Sequence, residues 1–242
     1  MEWVDDAIVL GARHFGEGKL VAEVFSREHG RYGGVVHAGR KSHPMLQAGN
    51  LVHVGWKARL ADQLGFFQPL EMSEPHATRL LDDALALAGL SSAVTLVRSV
   101  VPERQAYPQL YDALIVLIEA MPHGEIWPAL YTRFELGLLT AVGYGLDLTR
   151  CAVTGETANL AWVSPRTGRA ATAAAGAAHA DVLLRLPPFL VDAEAELKAG
   201  DVADAFALAG YFLELRVFDQ KGEGMPEARG RLIERLGFAG RL

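Results

Sequence analysis

The chain has 242 residues, half of them hydrophobic and 21% charged, with a formal net charge of −6 at pH 7 and one cysteine. That length fits one large domain or two modest ones, and the composition excludes bulk disorder. A lone cysteine, Cys151, excludes an intrachain disulfide framework and an all-cysteine zinc site within one chain.

The opening MEWVDDAIVLGARHF has acids where a secretory signal needs basic residues, and no apolar run approaches 18 residues, so the expected location is the cytoplasm. The first 72 residues read as β structure. Short apolar runs (AIVLGAR, LVAEVF, GRYGGVVHAG, NLVHVGWKARL, LGFFQPLEM) are punctuated by glycine. His29-Gly30-Arg31 marks a hairpin, and Gly33-Gly34 a bulge or sharp bend. In the fourth run Val52, Val54, Trp56, Ala58 and Leu60 share one face, with His53, Lys57 and Arg59 on the other. Trp56 is therefore expected in the core. Five short strands at this spacing fit a small barrel such as an OB-fold.

From about Glu74 the apolar period lengthens to 3.6. A first stripe is Leu80, Leu81, Ala84, Leu85, Leu87 and Ala88, a second spans 110–121, and a third spans 125–142 with Gly143 as its stop. Residues 151–185 lack such a stripe and read as an irregular insert, with eight alanines between 170 and 180. Helical pattern returns over 202–218, with a short last helix after Pro226. The expected fold class is α+β and multidomain. A five-stranded OB-fold barrel over 1–74 is followed by an α-helical domain over 75–242.

The charge is unevenly spread. Residues 13–59 carry Arg13, Lys19, Arg27, Arg31, Arg40, Lys41, Lys57 and Arg59 against Glu17, Glu23 and Glu28, a balance of +5, which leaves −11 for the remainder. Such asymmetry suggests two surfaces with different partners. Five of the eight histidines fall in the same stretch. The basic loop Gly39-Arg40-Lys41-Ser42-His43-Pro44 is suited to lie along a phosphate backbone, or simply to keep the surface soluble. Tyr32, beside Arg31, is a candidate for stacking on a base and equally for core packing.

Catalytic motifs are missing: there is no HExxH, GxSxG or CxxC, and no GxGxxG after a strand. The spacing of Gly11 and Gly16 imitates a P-loop, but Glu17 stands where a phosphate-holding lysine belongs. No histidine pair has metal-ligand spacing, so no metal or cofactor is expected. Cys151 is expected to be a packed, inert thiol.

The residues match a known pattern. Ala7-Ile8-Val9-Leu10, Gly16-Glu17, Phe25-Ser26-Arg27-Glu28-His29-Gly30-Arg31, Gly34-Val35-Val36 and Ala38-Gly39-Arg40-Lys41-Ser42 come first. Phe134-Glu135-Leu136-Gly137-Leu138-Leu139, Gly143-Tyr144-Gly145-Leu146-Asp147-Leu148 and Cys151 follow in order. Together they resemble the bacterial RecO proteins, mediators of DNA repair and recombination. The resemblance implies binding of single- and double-stranded DNA and annealing of complementary strands. It also implies work with RecR, and with the single-stranded DNA-binding protein, so that RecA is loaded at gaps of nucleoid DNA. The DNA contacts would come from Arg13, Lys19, Arg27, Arg31, Tyr32, Arg40, Lys41, Lys57 and Arg59. Many RecO proteins carry a four-cysteine zinc site beginning where Cys151 stands. Here Thr154 occupies the second position and 170–180 has no cysteine, so the resemblance implies no zinc and an insert held by packing alone. Gly145-Leu146 also departs from the family's proline-containing turn. Two other readings stay open from the residues: an OB-fold adaptor for RNA, and a small-molecule enzyme built on the helical domain.

Overall fold

A computed structural model describes residues 1–39, 42–60 and 63–242. The chain divides into two compact units, Met1–Gly124 and Glu125–Leu242.

The first unit opens with a closed barrel of strands β1 (Glu2–His14), β2 (Lys19–Ser26), β3 (Gly30–His37), β4 (Leu51–Lys57) and β5 (Gly65–Glu74), with a short α1 (Ser42–Met45) between β3 and β4. The order around the barrel is β1-β2-β3-β5-β4, and β4 pairs back onto β1. All pairings are antiparallel except β3 with β5, the five-stranded arrangement of an OB-fold. β1 is long because it serves two neighbours: residues 2–8 pair with β4 and residues 7–14 with β2, with a bulge at Val9/Gly11. Period-2 alternation fills the interior with Ala7, Val9, Leu20, Ala22, Val24, Val36, Val52, Val54, Trp56 and Phe67. Trp56 is only 2% exposed and donates its indole N–H to Gly33 O at 3.0 Å, as core placement requires. Leu60, expected on the same face, lies beyond the end of β4 and is exposed.

After β5 come α2 (His76–Arg79), α3 (Ala84–Val100) and α4 (Pro108–Ala120). The predicted stripe begins too early: Leu80 and Leu81 precede α3, and Leu81 is exposed. Asp83 sets the start, because its carboxylate accepts the amide N–H groups of Leu85 and Ala86, both at 2.9 Å. Pro108 opens α4 where its missing N–H costs nothing. These helices belong to the barrel's compact unit, which therefore extends past residue 74 to Gly124.

The second unit contains α5 (Trp127–Ala141), a small sheet, α7 (Asp201–Leu213) and α9 (Glu227–Phe238). Tyr131, Phe134, Leu138, Phe206, Leu208, Phe212 and Leu232 are buried in it. α7 continues through a π-helical turn (Glu214–Phe218) and α8 (Asp219–Lys221), and Gly222 ends the run in the left-handed conformation. The segment expected to be irregular is partly ordered. It holds β6 (Leu160–Val163), β7 (Ala170–Thr172) and β8 (Leu184–Arg185) in the order β7-β6-β8, with α6 (Ala173–Gly176) after β7. Gly176 lets the chain pass close to Trp162, since a Cβ there would lie 2.3 Å from the ring. Among the described residues, no helix is long and apolar enough to cross a membrane.

Candidate nucleic-acid interface

An OB barrel usually carries an oligonucleotide over strands 2 and 3 and the loops at their ends. In this chain the inward residues of β2 and β3 include Leu20, Ala22, Val24 and Val36, so Lys19, Val21, Glu23, Phe25 and their register partners His37, Val35, Gly33 and Arg31 lie on the opposite face. Part of that face is covered. The connector between α3 and α4 runs along β3: the Arg104 N–H donates to Arg31 O at 2.9 Å, and Arg31 and Glu103 form a parallel β-bridge. Gly30, with φ 81°, permits this approach, since a Cβ there would fall 1.8 Å from Gln105 O. Phe25 is fully buried, with its ring 5.9 Å from that of Tyr111.

Two of the expected DNA contacts are engaged within this cover. Arg27 makes a bidentate pair with Asp112, at 2.9 and 3.0 Å, and also meets Glu28 at 2.8 Å. The Asp112 hydrogen bond raises the Arg27 pKa and holds the Asp112 carboxyl below its ordinary value. Arg31 forms an ion pair with Glu23, donates to Val101 O at 2.9 Å and lies 3.7 Å from Glu103. Glu23 in turn accepts from Arg98 at 2.9 Å. Glu23 and Glu28 are local, but Glu103 and Asp112 come from far along the chain, and the local excess of +5 is diluted: Met1–Gly124 as a whole holds 11 Lys and Arg against 14 Asp and Glu.

Free cations remain at one end of the barrel. Arg13 is the last residue but one of β1 and Lys19 opens β2; both are exposed, and among the described residues neither has a carboxylate partner. Lys19 pairs in register with His37, and the Ala38 N–H donates to Gly18 O at 2.8 Å, which ties the β1–β2 turn to the segment after β3. The His14 and His43 rings stand 5.7 Å apart. Arg40 and Lys41, expected as contacts, lie outside the described residues.

Lys57 and Arg59 are exposed on the far side of the barrel. Lys57 meets Glu2 at 3.1 Å, while Arg59 has no carboxylate partner among the described residues. Tyr32 is half-buried and faces inward, edge-on to Trp3 at 5.0 Å and to Trp56 at 4.9 Å, with the Arg104 guanidinium 5.7 Å from its ring. That environment is packing rather than an open stacking platform. The sequence missed the aromatic environment of Tyr32, whose signal was the inward register of Tyr32 and Trp56.

In the second unit, Cys151 is buried. Its sulfur accepts the amide N–H of Thr154 at 3.5 Å and of Thr172 at 3.4 Å. Hydrogen bonds from Thr154, then Thr172, hold its pKa down at about 6. The Cys151 N–H donates to Glu156 O at 2.7 Å and the Ala152 N–H to Ala170 O at 2.8 Å. The loop is thus held by hydrogen bonds and a sheet, not by packing alone. Among the described residues no group of three His, Cys, Asp or Glu is placed to hold a metal. Arg133 donates to Phe189 O and Arg216 to Tyr144 O, so these two cations serve separate loops, while Arg150 is exposed. Phe206 and Phe212 are buried and Tyr211 is exposed.

Comparison with known proteins accords with this architecture. A family model for the recombination protein O N-terminal region matches residues 1–76, and one for its C-terminal region matches residues 81–223. The DNA repair protein RecO of Hyphomonas neptunium is 45% identical over 239 residues, covering 98% of both chains. That of Phenylobacterium zucineum is 47% identical over 244 residues and that of a Caulobacter species 45% over 246, each covering 100% of both chains.

Proposed function

The chain belongs to the RecO family of DNA repair proteins, and on that premise we propose that it binds single- and double-stranded DNA and anneals complementary strands in the cytoplasm. Acting with RecR, and with the single-stranded DNA-binding protein, it helps to load RecA at gaps. The observation that carries this reading is the basic end of the barrel, where Arg13 and Lys19 stand exposed without carboxylate partners among the described residues. Beside them are His14, His37 and His43.

Annealing needs no bond-making side chain, and the reading is of a mediator rather than an enzyme. A cationic surface lowers the repulsion between two phosphate backbones, and the strands supply the pairing energy themselves. Each phosphate neutralised on a single strand steepens the fall of log K with log salt by about 0.7.

The test is annealing of complementary oligonucleotides, alone and with RecR and the single-stranded DNA-binding protein, beside a matched RNA competitor. Faster annealing and a complex with RecR are expected. No annealing and no complex with either partner defeats the reading, and preferential binding of RNA replaces it.

A further inference from the structure

The far side of the barrel carries a groove of about 510 Å³ whose lining includes Trp3, Val4, Trp56, Lys57, Phe66 and Gln68. It is built by three neighbouring strands: Trp3 pairs in register with Trp56, and Lys57 with Phe66. The Trp3 and Trp56 rings lie nearly parallel, 16° apart in plane with centroids at 6.2 Å. Val4 is 57% exposed and Phe66 50% exposed, so apolar side chains line the mouth instead of entering the core. Together they leave apolar surface open to a ligand at the mouth of the groove. Lys57 is in the lining, and the exposed Arg59 follows two residues further along the chain. Glu2 also lines the groove, and its carboxylate faces Lys57 at 3.1 Å.

We propose that this groove receives an unpaired nucleobase of a single DNA strand, its π-face against Phe66, its phosphate on Lys57 and Arg59. The proposal rests on the DNA-binding reading and deepens it, by giving the barrel a subsite that tells single from double strands. A flat, half-exposed ring beside a lysine matches a nucleotide in both of its parts, and the match is sequence-tolerant because every base has a π-face. A duplex keeps its bases stacked and paired and offers only phosphate to such a site. The position also fits the covered β2–β3 face: the connector at 101–105 occupies part of the usual platform, whereas the β4–β5 end of the barrel keeps its groove open. Glu2 opposes a phosphate at the same rim, so its neutralisation strengthens binding.

The experiment measures anisotropy of the full-length protein on three probes of one length: oligo-dT, an abasic oligonucleotide and a duplex. Phe66→Ala is expected to lose about fivefold or more on oligo-dT, with no change on the abasic strand or the duplex. Phe66→Trp is expected to restore oligo-dT binding, and Glu2→Gln to tighten it. Equal wild-type affinity for oligo-dT and the abasic strand overturns the groove assignment while leaving DNA binding intact, as does an equal loss on all three probes in Phe66→Ala. If wild-type protein binds none of the probes, the DNA reading falls and the groove assignment with it.

Discussion

Glu135 on α5 is fully buried and meets Arg229 of α9 through two hydrogen bonds, 2.6 and 2.9 Å long. Arg229 also donates to Phe206 O at 2.8 Å, and Gly210 makes room for it, since a Cβ there would come within 2.8 Å of the guanidinium. Burial pushes the Glu135 carboxyl up, against the pull of the guanidinium. Removing one partner strands a charge in the interior. Glu135→Leu or Arg229→Met alone is therefore expected to cost about 3–5 kcal/mol in urea unfolding. The double variant is expected to recover most of that loss. Additive losses would show that the two side chains act independently.

The ionic partners sort the predicted DNA contacts. Arg13→Ala with Lys19→Ala removes two cations that have no carboxylate partner among the described residues and is expected to flatten the single-strand salt slope by about 1.4. Arg27→Ala removes a cation already shared by Asp112 and Glu28 and is expected to leave the slope nearly unchanged. Titrations at several salt concentrations separate the two outcomes.

His76 gives the first unit a pH dependence. It is buried, its Nε2 has no hydrogen-bond partner among the described residues, and burial, with Arg79 adding to it, lowers its pKa below the ordinary 6.5. The unfolded chain thus takes up a proton before the folded one does. This contribution to stability is whole above about 6.5 and is lost as pH falls through that value. Urea midpoints are expected to drop between pH 7.5 and 5.5, and His76→Phe is expected to reduce that drop.

Gly30→Ala tests the covered face. The left-handed φ of 81° and the contact with Gln105 both oppose a side chain. The variant is expected to lose stability by more than about 1 kcal/mol, with Arg31 and Glu103 losing their register. A midpoint equal to that of the parent would mean that the connector does not seal against β3.

The barrel was legible because its signals are local. Alternation through Val52, Val54 and Trp56 marked one buried face, and glycine marked the turns and close approaches. The helices were legible from their stripes, except where a cap decided: Asp83 moved the start of α3 past Leu80 and Leu81. The site was less legible, for a physical reason. Whether a cation faces DNA or a carboxylate depends on partners distant in sequence, and Arg27 finds Asp112 85 residues away. The sheet at 160–185 escaped notice because its strands are only four, three and two residues long, too short to display an alternating pattern. Cys151 looked isolated because its hydrogen-bond donors are backbone amides, which no residue pattern displays.

The seal between the 101–105 connector and β3 also bears on exchange of parts between relatives. A chimera joined at residue 74 would set a foreign connector against Gly30 and foreign side chains over Phe25, and would take the Glu103 carboxylate away from Arg31. The transplantable module is the barrel together with its two long helices, and a graft that carries residues 1–124 as one piece takes both halves of that seam with it.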